Sequence, residues 1–200
     1  MTNVSLQVPD LILIFGPPAS GKAAVGRALA TLTNCRFFHN HMTAEPVAAL
    51  FGWGTEAYTE VAAQVRLLLL SRALAQGSSN IVFTFVWAFN LEMDNQFVRD
   101  LVLEAGERGA KVHFVELLAS RAARIEREGT PLRLELKPAK RNVERARAYH
   151  AEIDARHTMN SDGDFPYPAS HLIIDTETIS PDEAAEKIAS HFSLPVHAAG

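Results

Sequence analysis

The chain alternates short apolar runs with longer stretches of helical periodicity. Leu11-Ile12-Leu13-Ile14-Phe15 stands between Asp10 and Gly16 without one polar position. Ile81-Val82-Phe83-Thr84-Phe85-Val86, Val112-His113-Phe114-Val115-Glu116-Leu117 and His171-Leu172-Ile173-Ile174-Asp175 continue the series, with Arg36-Phe37-Phe38-His39 a weaker member. Apolar runs of this length suit strands covered on both faces, as in parallel sheets. Between them the pattern predicts helices at about 21–33, 42–50, 56–77, 91–109, 138–158 and 181–192. The last has clear start signals: Ser180 can cap, Pro181 takes the first helical position and Glu183 completes a capping box. Gly77 and Gly109 fit helix ends. Alternation of this kind predicts an α/β fold with right-handed crossovers. No internal repeat or linker divides residues 1–200, so one domain is expected. An irregular loop, Asn160-Ser161-Asp162-Gly163-Asp164 then Pro166-Tyr167-Pro168, precedes the last strand.

Composition narrows the class. Of 200 residues, 48% are hydrophobic and 21% charged, which excludes a disordered or low-complexity chain. No apolar run reaches the ~18 residues of a membrane helix. Cys35 is the single cysteine, so no intrachain disulfide can form and a reducing, cytoplasmic setting is expected. Met1 to Pro9 has no basic stretch ahead of an apolar one, so no signal peptide is expected. The net charge of −4 argues against general nucleic-acid binding. Its distribution is uneven. Residues 121–147 hold nine basic side chains against four acidic ones, a local +5 on a chain whose remainder carries −9. A cation cluster on an acidic protein points to a compact anion such as phosphate.

The strongest motif is Gly16-Pro17-Pro18-Ala19-Ser20-Gly21-Lys22, a G-x-x-x-x-G-K (Walker A) match between a predicted strand and a predicted helix. Its glycines let backbone N–H groups turn toward an anion, the helix N-terminus adds partial positive charge, and Lys22 reaches the terminal phosphates. Ser or Thr normally follows the lysine and holds Mg²⁺; here Ala23 and Ala24 follow. The third strand also ends in Thr84-Phe85-Val86-Trp87, without a carboxylate for the metal. Magnesium would arrive bound to ATP and keep its waters.

His39-Asn40-His41 falls at the end of the second strand, the same end of the sheet as the phosphate loop. On one strand His39 and His41 would share a face. Only Glu45 is near enough in sequence to complete a metal set, so no metal site is expected. The trio is a candidate substrate contact, with a solvated loop as the bland reading. Glu45, one helical turn on, is a candidate general base, although a first-turn glutamate is also favoured by the helix dipole. Arg121, Arg124 and Arg127 recur every three residues, which puts them on one helical face. With Arg133 and Lys137-Pro138-Ala139-Lys140-Arg141 they form a candidate flap over the phosphates, or else a solvated charged face.

Taken in order, these residues resemble the small P-loop kinases: shikimate kinase, gluconate kinase, adenylate kinase and chloramphenicol phosphotransferase. The narrower resemblance is to bacterial AAA-type ATP-binding proteins of shikimate kinase-like sequence. It rests on residues 16–22, Phe38-His39-Asn40-His41, Ile81–Phe85, Arg133-Leu134, Lys137–Arg141, Asn160-Ser161 and Ile174-Asp175-Thr176. It implies a P-loop three-layer fold with five parallel strands in the order 2-3-1-4-5 and a helical lid at about 120–137. It implies ATP, with Mg²⁺, on residues 16–24, with Lys22, Arg124 and Arg127 acting on the phosphates. Arg133 would join them, Thr176 would lie near the adenine, and His39, Asn40, His41 and Glu45 would meet a small-molecule acceptor. The Asp-x-Asp that shikimate kinases carry after the second strand is missing, so shikimate is not the expected acceptor. The expected activity is transfer of the γ-phosphate of ATP to a small-molecule hydroxyl. A non-catalytic nucleotide sensor is the alternative, and a polynucleotide kinase is a weaker one.

Overall fold

The structure is a computed structural model that describes residues 8–127 and 151–197. Five strands form one parallel sheet: β1 (Leu11–Phe15), β2 (Arg36–His39), β3 (Ile81–Phe85), β4 (Val112–Leu118) and β5 (His171–Asp175). Their order is β2-β3-β1-β4-β5, every pairing parallel, as the resemblance implied. The central strand β1 is fully buried at all five positions, which its unbroken apolar sequence requires.

Helices cover both faces. On one, α1 (Lys22–Thr33) packs with the last helix (Pro181–His191, α7) over Ile12, Ile14, Val115 and Leu117. On the other, α3 (Glu56–Gln76) and α4 (Glu92–Glu107) cover Leu11, Leu13, Phe15, Phe83 and Phe114. The shorter α2 (His41–Phe51) packs on α3, α5 (Arg121–Glu126) follows β4, and residues 151–156 are helical (α6). Of the helix expected over 138–158, residues 138–150 lie outside the described residues, as do Arg133, Lys137, Lys140 and Arg141, and residues 157 and 158 are not helical.

Local chemistry sets the boundaries. The Ser180–Glu183 capping box starts α7 as expected. Thr55 caps α3 by accepting from the Tyr58 N–H at 3.1 Å. Asn34, at φ 53°, ends α1 in the left-handed region. One boundary differs with consequence: β2 stops at His39 and α2 begins at His41. The two histidines therefore do not share a strand face. Among the described residues no helix is long and apolar enough to cross a membrane.

Candidate functional site

Residues 16–22 join β1 to α1 at the carboxyl ends of the strands. Gly16 has φ 137°, and a Cβ there would stand 2.5 Å from the Leu117 carbonyl oxygen, so this position admits only glycine. Ala19 and Gly21 also have positive φ, at 62° and 97°. An alanine held there costs about 1 kcal/mol, a strain that marks a loop fixed by its surroundings. The N-cap of α1 is Gly21, which has no side chain to accept from the first N–H groups of the helix. A helix N-terminus of this kind is a position suited to an anion. The buried Lys22 ammonium donates to the carbonyls of Gly16 (2.7 Å) and Pro17 (2.6 Å), with Ser20 Oγ at 3.5 Å. Ala23 and Ala24 fill the first turn and offer no ligand atom.

Thr176, just past β5, braces this loop. Its hydroxyl lies 3.0 Å from the Ser20 carbonyl and 3.1 Å from that of Leu118, and can donate to either. The same hydroxyl and the Thr176 carbonyl accept from the Arg127 guanidinium at 3.0 and 2.7 Å. Thr176 thus supports the loop at residues 16–22 from beside Gly21. Arg124 is buried, 5% exposed, and donates to both carboxylate oxygens of Asp154 at 3.1 and 2.6 Å. Its Nη1 is 3.5 Å from the Pro18 carbonyl. Arg121, which the spacing put on the same face, is exposed. Of the lid expected over 120–137, the part up to Arg127 is described.

At the end of β2 the Asn40 N–H donates to Thr84 Oγ1 at 3.4 Å. His41 Nδ1 lies 3.0 Å from Glu45 Oε1 across one turn of α2. Because the helix starts at His41, Glu45 falls beyond its first turn; its neighbour is His41 rather than the helix dipole. Among the described residues no group of three His, Cys, Asp or Glu is disposed to hold a metal ion.

Beside this pair lies a cluster that sequence reasoning missed. Arg66 of α3 is 7% exposed, its guanidinium 5.7 Å from the centre of the Phe85 ring. Burial pulls its pKa below the usual arginine range, against the charge and hydrogen bond of Tyr58 and the charge of Asp94. Its Nε has no hydrogen-bond partner among the described residues. Asp94 of α4 accepts from the Ala88 N–H at 2.8 Å. Burial raises its pKa to about 6, countered by that bond and by the charges of Arg66 and His157. His157 reaches the cluster because the 88–90 loop docks on the chain after α6: Phe89 N–H to the Thr158 carbonyl (2.8 Å) and Asn90 Nδ2 to the Arg156 carbonyl (2.8 Å). The signal for Arg66 was its register. Ala62, Arg66, Leu70 and Leu74 are the buried positions of α3, a four-residue stripe on which arginine is out of place.

Asn160 and Ser161 have a structural explanation. Glu116 of β4 is 1% exposed and accepts from Asn160 Nδ2 (2.8 Å), Ser161 N–H (2.8 Å) and Ser161 Oγ (2.7 Å). His171 Nε2 is 3.0 Å away but outside hydrogen-bond geometry. This anchor fixes where the chain re-enters after α6, and so where Asp154 and His157 stand.

Asp94 carries a pH signature. A carboxyl with a raised folded-state pKa binds its proton more tightly when folded, so stability falls as pH rises from the unfolded value through about 6. Asp94→Asn keeps an acceptor for Ala88. It is expected to match the wild type near pH 4 and to exceed its stability by about 2 kcal/mol at pH 8. Thermal or urea unfolding of both proteins across this range measures it; equal stabilities at pH 8 would show that Arg66 already compensates the charge.

Neither a family model nor a curated protein sequence matches the chain. Solved structures do. A presumed kinase from Chloroflexus aurantiacus aligns at 21% identity with TM-score 0.63, over 92% of this chain and 99% of that one. The tunicamycin resistance protein of Deinococcus radiodurans aligns at 19% with TM-score 0.58, over 96% and 99%. Shikimate kinase from Acinetobacter baumannii, solved with shikimate, aligns at 17% with TM-score 0.53, over 94% of each chain. The fold is that of the P-loop small-molecule kinases.

Proposed function

We propose that the chain is an ATP-dependent phosphotransferase that moves the γ-phosphoryl group to a hydroxyl of a small molecule. The observation that carries this reading is the loop at residues 16–22. A buried lysine closes a strained turn onto a helix N-terminus whose cap residue is a glycine. Such a terminus with an adjacent ammonium is a phosphate site by its own chemistry. Arg124 and Arg127, seated beside Pro18 and Thr176, supply further positive charge at the same place.

On this reading the backbone of residues 16–24 and Lys22 hold the phosphates of ATP. The acceptor lies against His39, Asn40, His41 and Glu45, with Arg66 behind them. The hydroxyl oxygen attacks the γ-phosphorus while the bond to the β–γ bridging oxygen breaks and ADP leaves. The hydroxyl proton passes to the His41–Glu45 pair, whose 3.0 Å contact lets the two share it. The arginines meet the charge that spreads over the transferred group. For Mg²⁺ the loop offers no protein ligand: Ala23 stands where a hydroxyl would, and β3 ends in Phe85. Mg²⁺ would be held by the nucleotide and water, and no step is assigned to it. That missing ligand favours one second reading, a nucleotide sensor with little turnover.

Thermal unfolding with ATP and ADP, followed by an ADP-release assay over a panel of hydroxyl compounds, tests both readings. At a hundred times its dissociation constant ATP is expected to add about 2.7 kcal/mol. Acceptor-dependent ADP release supports the kinase. Stabilisation without release for any acceptor supports the sensor. No stabilisation by either nucleotide overturns both.

A further inference from the structure

The chain has two tryptophans, and they are used differently. Trp87 is buried, and its indole N–H donates to Asn95 Oδ1 at 2.8 Å. Trp53 is 51% exposed, and among the described residues no hydrogen bond holds its indole. It stands between Gly52 and Gly54, at φ 78° and 75°, on the turn from α2 to α3. A Cβ at Gly54 would meet nothing within 4 Å, so glycine is there for the backbone turn and not for room. The turn holds the indole 6.1 Å from the His41 ring and 5.2 Å from the Tyr58 ring, centre to centre. His41 is the residue paired with Glu45, and Tyr58 is the residue whose phenol acts electrostatically on Arg66. The exposed indole therefore adjoins the His41–Glu45 pair that the acceptor would meet, with Tyr58 on its other side.

An indole left open to water beside hydroxyl-orienting and cationic groups reads a flat, weakly polar face. A bare polyol or sugar acid would leave it unused. We infer that Trp53 is the stacking surface of the acceptor site, and that the acceptor is a hydroxyl compound carrying a planar aromatic or heteroaromatic ring. This inference rests on the kinase reading above.

The test uses matched probes on the full chain: 3-phenoxypropane-1,2-diol against glycerol, and uridine against ribose. Dissociation constants are measured by calorimetry with ADP present, for the wild type, Trp53→Ala and Trp53→Phe. ATP-induced thermal stabilisation is measured in parallel. In the wild type the ring-bearing member of at least one pair is expected to bind about tenfold more tightly than its ring-free partner. Trp53→Ala is expected to erase that gap without changing the ring-free compound, and Trp53→Phe to keep most of it. ATP stabilisation should be the same in all three proteins. A gap that is absent in the wild type, or that survives Trp53→Ala, overturns the inference. So does failure of both ring-bearing probes to bind. If ATP stabilisation persists in these cases, the acceptor class alone falls. If ATP itself fails to stabilise the wild type, the kinase reading falls and the inference with it.

Discussion

Lys22→Ala is expected to abolish stabilisation by ATP and to cut phosphoryl transfer at least about 100-fold. Lys22 is 6% exposed and its ammonium donates to the Gly16 and Pro17 carbonyls, so its charge sits against the backbone of the loop. On the kinase reading the same charge would meet the phosphates of the nucleotide. Alanine removes it and leaves two carbonyls short of a donor. Water can reach them once the side chain is gone, so the ligand-free protein should lose only about 1–2 kcal/mol. Wild-type protein should gain about 5–10 °C in melting temperature at saturating ATP, and the variant almost none. A full ATP shift in Lys22→Ala would mean that the lysine serves the loop alone. Collapse of the ligand-free variant would mean that it is first a structural residue.

How far the sequence reveals this protein depends on how local each feature is. The five strands were legible because each is a short apolar run bounded by polar or glycine positions. The turn from β1 into α1 was legible because its features are contiguous: seven residues carry turn, helix start and lysine together. Sheet order came from the resemblance, since periodicity says nothing about which strands are neighbours. The His39–His41 geometry failed on one point. A strand that stops at His39 and a helix that begins at His41 are separated by one residue, closer than pattern reading resolves.

The cluster around Arg66 was illegible for another reason. Tyr58, Arg66, Asp94 and His157 come from α3, α4 and the chain after α6, and each looks ordinary in its own window. Asp94 reads as a first-turn carboxylate of α4, which the helix dipole favours anyway. Only the tertiary fold buries it beside an arginine. The Glu116 anchor is similar: a glutamate within an apolar run looks like a strand edge facing water, yet it is 1% exposed. What fixes it is a serine and an asparagine more than forty residues later. Buried polar groups with distant partners carry the site, and they are the features that local pattern hides.

The Arg124–Asp154 pair separates stability from turnover. The Arg124 side chain is 6% exposed and that of Asp154 22%, so the two halves of the pair are not equivalent. Asp154→Ala strands a buried guanidinium beside the Pro18 carbonyl and is expected to cost about 3 kcal/mol. Arg124→Met leaves a carboxylate that can turn to water, and should cost about 1 kcal/mol. The double variant removes the stranded charge, so its stability should recover to near that of Arg124→Met. Turnover should follow another order. If Arg124 meets the transferred phosphoryl group, Arg124→Met and the double variant should lose kcat alike, by about 100-fold, with ATP affinity changed far less. Asp154→Ala keeps the guanidinium but frees it to move, and should fall between them and the wild type. Urea unfolding and steady-state kinetics on the three variants provide the comparison. A kcat that simply tracks stability across the set would show that the pair serves only to pin α6 against the phosphate loop. Loss of kcat in the double variant despite recovered stability would show that the ion pair is the resting position of a catalytic arginine.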